Sequence, residues 1–301
     1  MPRPGATSPY PADVTHTASS PTRPPTPEEV GASYDELGPL FPLIFGRTAL
    51  HIGQWSEPGA PAPVRDLPEL SDRAMDRQTD WYTRLLAPDA DTHVLDIGCG
   101  TGGPALRIAR RTGARVTGIT ISRTQAAECA DRAREAALTD RVTFDHGDAM
   151  NLPYRDGSFG AALAVDSLCH MHDRPRALAE ARRVLRPGGR LLLTEFTLRG
   201  RPSREQLAAH HGMWISAPLV TVAEVLAMAE GAGWEMEQVI DDNANMAMTG
   251  EVMALLYRDR HDEVLDRLGA EATARLDASM PLLRSFNRDH LGHAVFLLRR
   301  P

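Results

Sequence analysis

Three short stretches of this 301-residue chain gather side chains that could do chemistry. The first is Asp96-Ile97-Gly98-Cys99-Gly100-Thr101-Gly102-Gly103-Pro104, an acid followed by glycines on alternate positions. Glycine there admits positive φ and lets a ligand come close to the backbone. The second is Gly147-Asp148-Ala149, where a carboxylate can accept from an amino group while Ala149 offers its N–H. The third, Asp166-Ser167-Leu168-Cys169-His170-Met171-His172, sets an imidazole that titrates near neutrality close to a carboxylate. His170 and His172 could chelate, but no carboxylate pair completes a metal site, so no metal is expected.

These stretches need elements to hold them. Val94, Leu95 and Ile97 suit a strand covered on both faces, and Pro104 suits the first position of a helix. The glycine turn then lies in a crevice at the carboxyl end of a first strand, where open α/β sheets take their ligands. A second strand spans Arg115 to Thr120, and its helix starts at Ser122, with Gln125 placed for a capping box. Strands follow at Val142 to Asp145 and Gly160 to Val165, then a helix from Arg174 to Leu185. The turn Arg186-Pro187-Gly188-Gly189 leads to a fifth strand, Arg190 to Thr197. This alternation implies a parallel sheet with right-handed crossovers.

After Thr197 the alternation stops. Residues Arg199 to Val220 read as an insert anchored by Met213 and Trp214, and Thr221 with Glu224 caps a helix ending at Gly231. A strand from Glu235 to Ile240, a helical pattern from Gly250 to Met280 and a last strand from Ala294 to Leu298 complete the chain. At the other end, residues 1–26 are Pro, Thr, Ser and Ala with little to bury and read as a flexible tail. Thr26-Pro27-Glu28-Glu29 starts a helix. The apolar segment Tyr34 to Phe45 must cover something, with Pro42 kinking or ending a helix. A further helix spans Leu67 to Leu86.

Gly98, Gly100 and Gly103 also satisfy the dinucleotide fingerprint, which calls for an acid at the end of the second strand. Thr120 stands there instead. The run Asp96-x-Gly98-x-Gly100-x-Gly102, followed by Gly147-Asp148-Ala149, resembles the class I S-adenosylmethionine-dependent methyltransferases. The resemblance implies an α/β, Rossmann-like fold with a seven-stranded, mostly parallel sheet of order 3-2-1-4-5-7-6. It divides the domain of residues 27–301 into an N-terminal helical lid (27–90), a cofactor-binding core (91–198) and a substrate cap with the C-terminal strands (199–301). It implies S-adenosyl-L-methionine as cofactor, held by Asp96, Gly98, Gly100 and Gly102, with Gly147, Asp148 and Ala149 at the adenine. Gly118-Ile119-Thr120-Ile121-Ser122-x-x-Gln125 resembles the antibiotic-biosynthesis and cyclopropane-synthase types, in which Thr120, Ile121, Ser122 and Gln125 would meet the ribose.

Asp166 to Met171 resembles the Glu-Ser-hydrophobic-hydrophobic-His-Met run of methyltransferases that modify antibiotic sugars and aglycones, with Asp166 in place of Glu. This implies a cofactor contact for Asp166 and a general-base role for His170, its second N–H supported by Glu195, which replaces the usual Asp at the end of strand five. Leu50-His51-Ile52-Gly53-Gln54-Trp55 is similar to a His-x-Gly-Tyr-Trp segment that folds over the cofactor, and it adds Trp55 to that site. Phe41, Phe45, Trp55, Phe196, Met213, Trp214, Met246 and Met248 are available to wall a bulky, partly apolar acceptor, with His170 in the same pocket. Transfer to a hydroxyl is the expected reaction. A carbon acceptor and a cofactor-holding module with lost or redirected catalysis are the alternatives.

Net charge is -7, which disfavours nucleic acid as a partner, and all 33 basic residues are Arg. Cys99, Cys129 and Cys169 show no metal-ligand spacing and fit a reduced, cytoplasmic protein. No apolar run is long enough to span a bilayer, so no membrane is expected as a partner. The resemblance implies a small-molecule acceptor. The sequence leaves room for a homodimer.

Overall fold

The computed structural model describes residues 23–38, 40–56 and 63–301, so most of the expected tail lies outside the described residues. The chain opens with α1 (Pro27–Leu37), capped by Thr26 and Glu29 as a capping box with proline in its first turn. A second, four-residue helix α2 (Phe41–Ile44) follows, and α3 spans Leu67–Leu86. Pro42 therefore opens α2 instead of kinking or ending a helix, because proline's missing N–H costs nothing in a first turn.

The core alternates β1 (His93–Ile97), α4 (Gly103–Thr112), β2 (Arg115–Thr120), α5 (Arg123–Glu135), β3 (Val142–His146) and β4 (Phe159–Ala164). A single 3-10 turn, Leu168–His170, precedes α6 (Arg174–Val184) and β5 (Leu185–Leu198). Then come α7 (Arg204–Met213), α8 (Val222–Gly231), β6 (Glu235–Asp241), α9 (Asn243–Asp259), α10 (His261–Asp289) and β7 (Leu291–Arg299). The sheet order is β3-β2-β1-β4-β5-β7-β6, as the resemblance implied. Strands β1 to β5 pair in parallel, and β7 runs antiparallel to both β5 and β6.

Neighbouring residues of the central strands feed opposite layers, as the pleat requires. Leu95, Leu191, Leu193 and Phe296 pack with Leu178 and Trp234 on one face. Val94, Leu192 and Val295 pack with Tyr82, Leu86 and Ile108 on the other. A separate apolar cluster joins α2, α7, α9 and α10 through Leu43, Ile44, Met213, Met253 and Leu283. That cluster is the cap beside the carboxyl ends of the strands. No helix among the described residues is long and apolar enough to cross a membrane.

Three boundaries differ from expectation. The turn Arg186–Gly189 lies inside β5 as a bulge, with Leu185 paired to Phe159 and the ladder resuming at Arg190. The helical stretch starts at Asn243 and runs to Asp289, broken near Arg260 and at Gly269, whose φ is +78. Pro281 sits within α10 and does not end it. The last strand begins at Leu291, so Gly292 and His293 belong to it; His293 is a polar residue the apolar pattern left out.

Candidate active site

Two cavities meet at the carboxyl edge of the sheet. One, of about 920 Å³ including its open mouth, lies over β1, β2 and β4. Asp96, Gly98, Gly100, Thr120, Ile121, Gln125, Gly147, Asp148, Ala149 and Asp166 all line it. Among the expected cofactor residues, Gly102, Ser122 and Trp55 are not on its wall. Each has a different physical task. A Cβ on Gly102 would stand 2.8 Å from Phe144 Cζ and 2.9 Å from Cys129 Sγ, so this glycine serves packing. Ser122 caps α5 through Gln125 N–H and donates its hydroxyl to Asp35, which ties α1 to the cavity rim. Trp55 turns its indole N–H to Thr249 Oγ1 at 2.9 Å, against α9.

The glycines divide in the same way. A Cβ on Gly98 would lie 2.4 Å from Ser167 Cβ, and one on Gly103 1.7 Å from the Thr48 carbonyl. Gly100, with φ +51, would meet only Leu50 Cδ1 at 3.8 Å. Its missing side chain leaves room for a ligand, not for protein.

The cavity's chemistry is anionic. Asp96 is 2% exposed, and its Oδ2 has no hydrogen-bond partner among the described residues. Burial pushes its carboxyl up to about 7. Asp148 spends Oδ1 on the Met150 N–H at 2.8 Å, the turn-forming role, and lines the cavity as well. Lys and Arg are absent from the described lining, which suits a cationic ligand and not a phosphate. Thr120, where a dinucleotide site needs an acid, donates to Gln125 Oε1 at 2.9 Å. The orphaned Asp96 oxygen and the open face of Gly100 fit S-adenosylmethionine, whose ammonium and sulfonium are both positive.

The second cavity, of about 670 Å³, continues from the first. Tyr34, Leu50, His51, Asp166 and His170 line both. Of the expected acceptor wall, Phe45, His170, Phe196, Trp214 and Met246 face the second cavity. Phe41 and Met213 do not; Phe41 backs Tyr34 at a ring distance of 5.4 Å, and Met213 joins the cap cluster. Met248 is 47% exposed and has no part in that wall.

His170 stands at the junction. Its Nδ1 lies 2.7 Å from the Ile215 carbonyl, so that nitrogen carries the proton and donates. Nε2 is then an acceptor, and Tyr34 donates its hydroxyl to it at 2.8 Å. Burial pushes the imidazole below the usual histidine value, more strongly than the Ile215 carbonyl and Asp166 pull it up. His172, by contrast, is exposed.

Glu195 does not reach His170, which corrects the expected support. It is fully buried, its Oε2 lies 3.3 Å from Arg174 Nε, and Oε1 accepts from its neighbour Phe196 N–H at 3.0 Å. Burial raises its carboxyl to about 7 despite Arg174. Arg174 Nη1 also donates to the Pro218 carbonyl at 3.0 Å, so the pair braces the chain after α7. The Ile215 carbonyl does for His170 what the carboxylate was expected to do.

Two residues that the sequence did not single out matter here. Tyr34 is the polar tip of an apolar segment, a signal that was available. His51 holds its ring between Ile52 O at 2.7 Å and Thr79 Oγ1 at 2.9 Å, in the strap over both cavities. The strap is the Leu50–Trp55 segment, in which Leu50 and His51, not Trp55, line both cavities.

The methyltransferase-domain family matches residues 95–193. The chain is also 34% identical over 281 residues to 27-O-demethylrifamycin SV methyltransferase of Amycolatopsis mediterranei, covering 92% of this chain and 98% of that protein. The chain belongs to the S-adenosylmethionine-dependent methyltransferases. Among solved structures, the methyltransferase is similar to the [4+2]-cyclase SpnF, with TM-score 0.78 and 33% identity over 93% of this chain and 98% of the other. It shares its fold with geranyl diphosphate C-methyltransferase of Streptomyces coelicolor A3(2), at TM-score 0.71 and 18% identity, covering 92% and 100% of the two chains. S-adenosylmethionine is its cofactor, and small molecules of secondary metabolism are the class it methylates.

If Asp148 also accepts from the adenine amino group, Asp148→Ala weakens S-adenosylhomocysteine binding by about 1 to 3 kcal/mol, measured by calorimetry. An unchanged dissociation constant leaves Asp148 with its turn alone.

Proposed function

We propose that this methyltransferase acts on a hydroxyl of a bulky, neutral, partly apolar acceptor, with His170 as general base. The observation that carries this is the position of His170 Nε2, an unprotonated imidazole nitrogen on the wall shared by the two cavities. The cofactor supplies an electrophilic methyl group. The chain holds the acceptor oxygen in line with it, excludes water under α1 and the strap, and takes up the hydroxyl proton.

Tyr34 occupies Nε2 in the structure. Burial pushes its phenol well above the ordinary range, so it remains a protonated donor and is a poor base. The acceptor hydroxyl therefore takes the place of the Tyr34 hydroxyl at Nε2. Tyr34→Phe is expected to hold kcat within about ten-fold of wild type, whereas a relay through the phenol predicts a loss as deep as that of a His170 variant. Steady-state rates of the two variants decide between these routes.

The acceptor cavity has aromatic and aliphatic walls from Phe45, Phe196, Trp214, Met246 and Met253. No Lys or Arg is on its described lining, so a diphosphate of the kind named for the geranyl diphosphate enzyme finds no cationic partner here. Likeness to the 27-O-demethylrifamycin enzyme supports an oxygen acceptor. Likeness to SpnF keeps a second reading open, the same cavities serving a cyclisation. Incubation of a polyketide and terpenoid alcohol panel with methyl-labelled cofactor tests the proposal. Label in an ether product supports it, and rearranged but unlabelled product favours the second reading.

A further inference from the structure

Three polar side chains on the acceptor cavity wall have no hydrogen-bond partner among the described residues: His210 at Nδ1, Ser216 at Oγ and Asn287 at Oδ1. They are 3%, 5% and 2% exposed. Other polar groups of the same wall are satisfied, as Asp166 is by Thr194 and His293, and Thr249 by Asn245 O. An unpaired buried donor or acceptor is costly, and the cost falls away when a ligand group completes it.

The surrounding chain fixes these three groups in place. Ser216 lies between Ile215, whose carbonyl takes the His170 N–H, and Ala217, whose N–H reaches the Cys169 carbonyl at 2.8 Å. His210 on α7 packs its ring on Phe286 of α10 at 4.9 Å. Burial pushes His210 down to about 3, so at neutral pH it is an uncharged ring with one donor and one acceptor nitrogen. Asn287 depends on Gly250 opposite, where a Cβ would stand 2.7 Å from Asn287 Cβ. A neutral imidazole, a hydroxyl and a carboxamide together match neutral hydroxyl or carbonyl oxygens, not a charged group.

We propose that His210, Ser216 and Asn287 form a second recognition site for oxygen functions of the acceptor away from the hydroxyl that is methylated. The substrate is then an apolar skeleton carrying a hydroxyl at His170 and at least one further neutral oxygen function, of which a hydroxyl is the one tested, at this site. The inference rests on the proposed use of the second cavity for the acceptor.

The test is binding, read by calorimetry with S-adenosylhomocysteine present, so it does not depend on turnover. The probes are matched sets of steroids, sesquiterpenes and macrolactones, each skeleton carrying one, two or three hydroxyls. Wild-type protein is expected to bind at least one di- or trihydroxy member about ten-fold or more tightly than its monohydroxy partner. Ser216→Ala and Asn287→Leu should each reduce that preference, and His170→Ala should retain it. If Asn287→Leu does not fold, Ser216→Ala carries the comparison. Equal affinity across each set, no binding by any member, or an undiminished preference in both variants overturns the inference. Loss of the base role alone shows instead as a His170→Ala enzyme that keeps both the preference and its turnover.

Discussion

Replacing His170 with alanine is expected to lower kcat by about 10² to 10⁴ while S-adenosylhomocysteine affinity stays within a few-fold. The imidazole is held in one tautomer by the Ile215 carbonyl, and its accepting nitrogen, met by the Tyr34 hydroxyl, belongs to a residue on the wall of both cavities. Burial lowers its pKa, so the basic form persists below the usual histidine value of about 6.5, and kcat stays flat through neutrality before falling on acidification. Single-turnover rates from pH 5 to 9 check both statements. A variant within a few-fold of wild type would reduce catalysis to positioning and favour a carbon or already nucleophilic acceptor. Glu195→Gln should act through the brace with Arg174 and appear in thermal stability before kcat.

Loss of His293 should destabilise the fold by about 3 to 5 kcal/mol, because it uncovers two buried carboxylates. His293 lies 2.7 Å from Asp166 Oδ1 through Nε2 and 3.3 Å from Asp242 Oδ2 through Nδ1. Burial pushes the imidazole down, but the two carboxylates outweigh it and raise it to about 9. Burial likewise pushes Asp166 up, and His293 with Thr194 brings it below the ordinary value. A histidine raised from about 6.5 to about 9 contributes roughly 3 kcal/mol, a figure that already contains the pairing with Asp166. That contribution is complete below pH ~6.5 and is lost as pH climbs through ~9. His51, His170 and His210 are all pushed down, so their pH dependence lies on the acid side. Asp96 and Glu195, raised to about 7, and the Cys169 thiol, pushed up by burial, also titrate differently in folded and unfolded protein within or beside this window, so the His293 share is the difference between wild type and variant. Denaturant unfolding of wild type and His293→Gln between pH 6.5 and 9.5 measures this. A difference between wild type and variant that does not shrink as pH climbs from ~6.5 to ~9.5 would refute it.

The core strands and the helix caps are legible in the sequence because their chemistry is local. The strand–glycine–helix run, the Ser122 cap and the Thr221–Glu224 box are each decided by residues within a few positions of one another. Partnerships across the sheet were not legible in the same way. Glu195 and His170 end neighbouring segments, yet Arg174, at the start of α6, intercepts the carboxylate. Which side of the Leu50–Trp55 strap faces the cavities depends on Thr249 and Asn245, some 190 residues away, which hold Trp55 against α9. His293 escaped notice because a lone histidine before an apolar run says nothing of Asp166 and Asp242 until the sheet brings them together.

Tyr34, Leu50 and His51 roof both cavities, and Ile52 is latched to Asp166 by its N–H at 3.2 Å. One cover thus guards two compartments. If the spent nucleoside leaves by displacing that cover, its exchange bares the chamber next door as well, and the schedule of arrivals and departures is shared between the two ligands. On that footing turnover is expected to follow how often the cover lifts, and initial rates that fall at high acceptor concentration would report it.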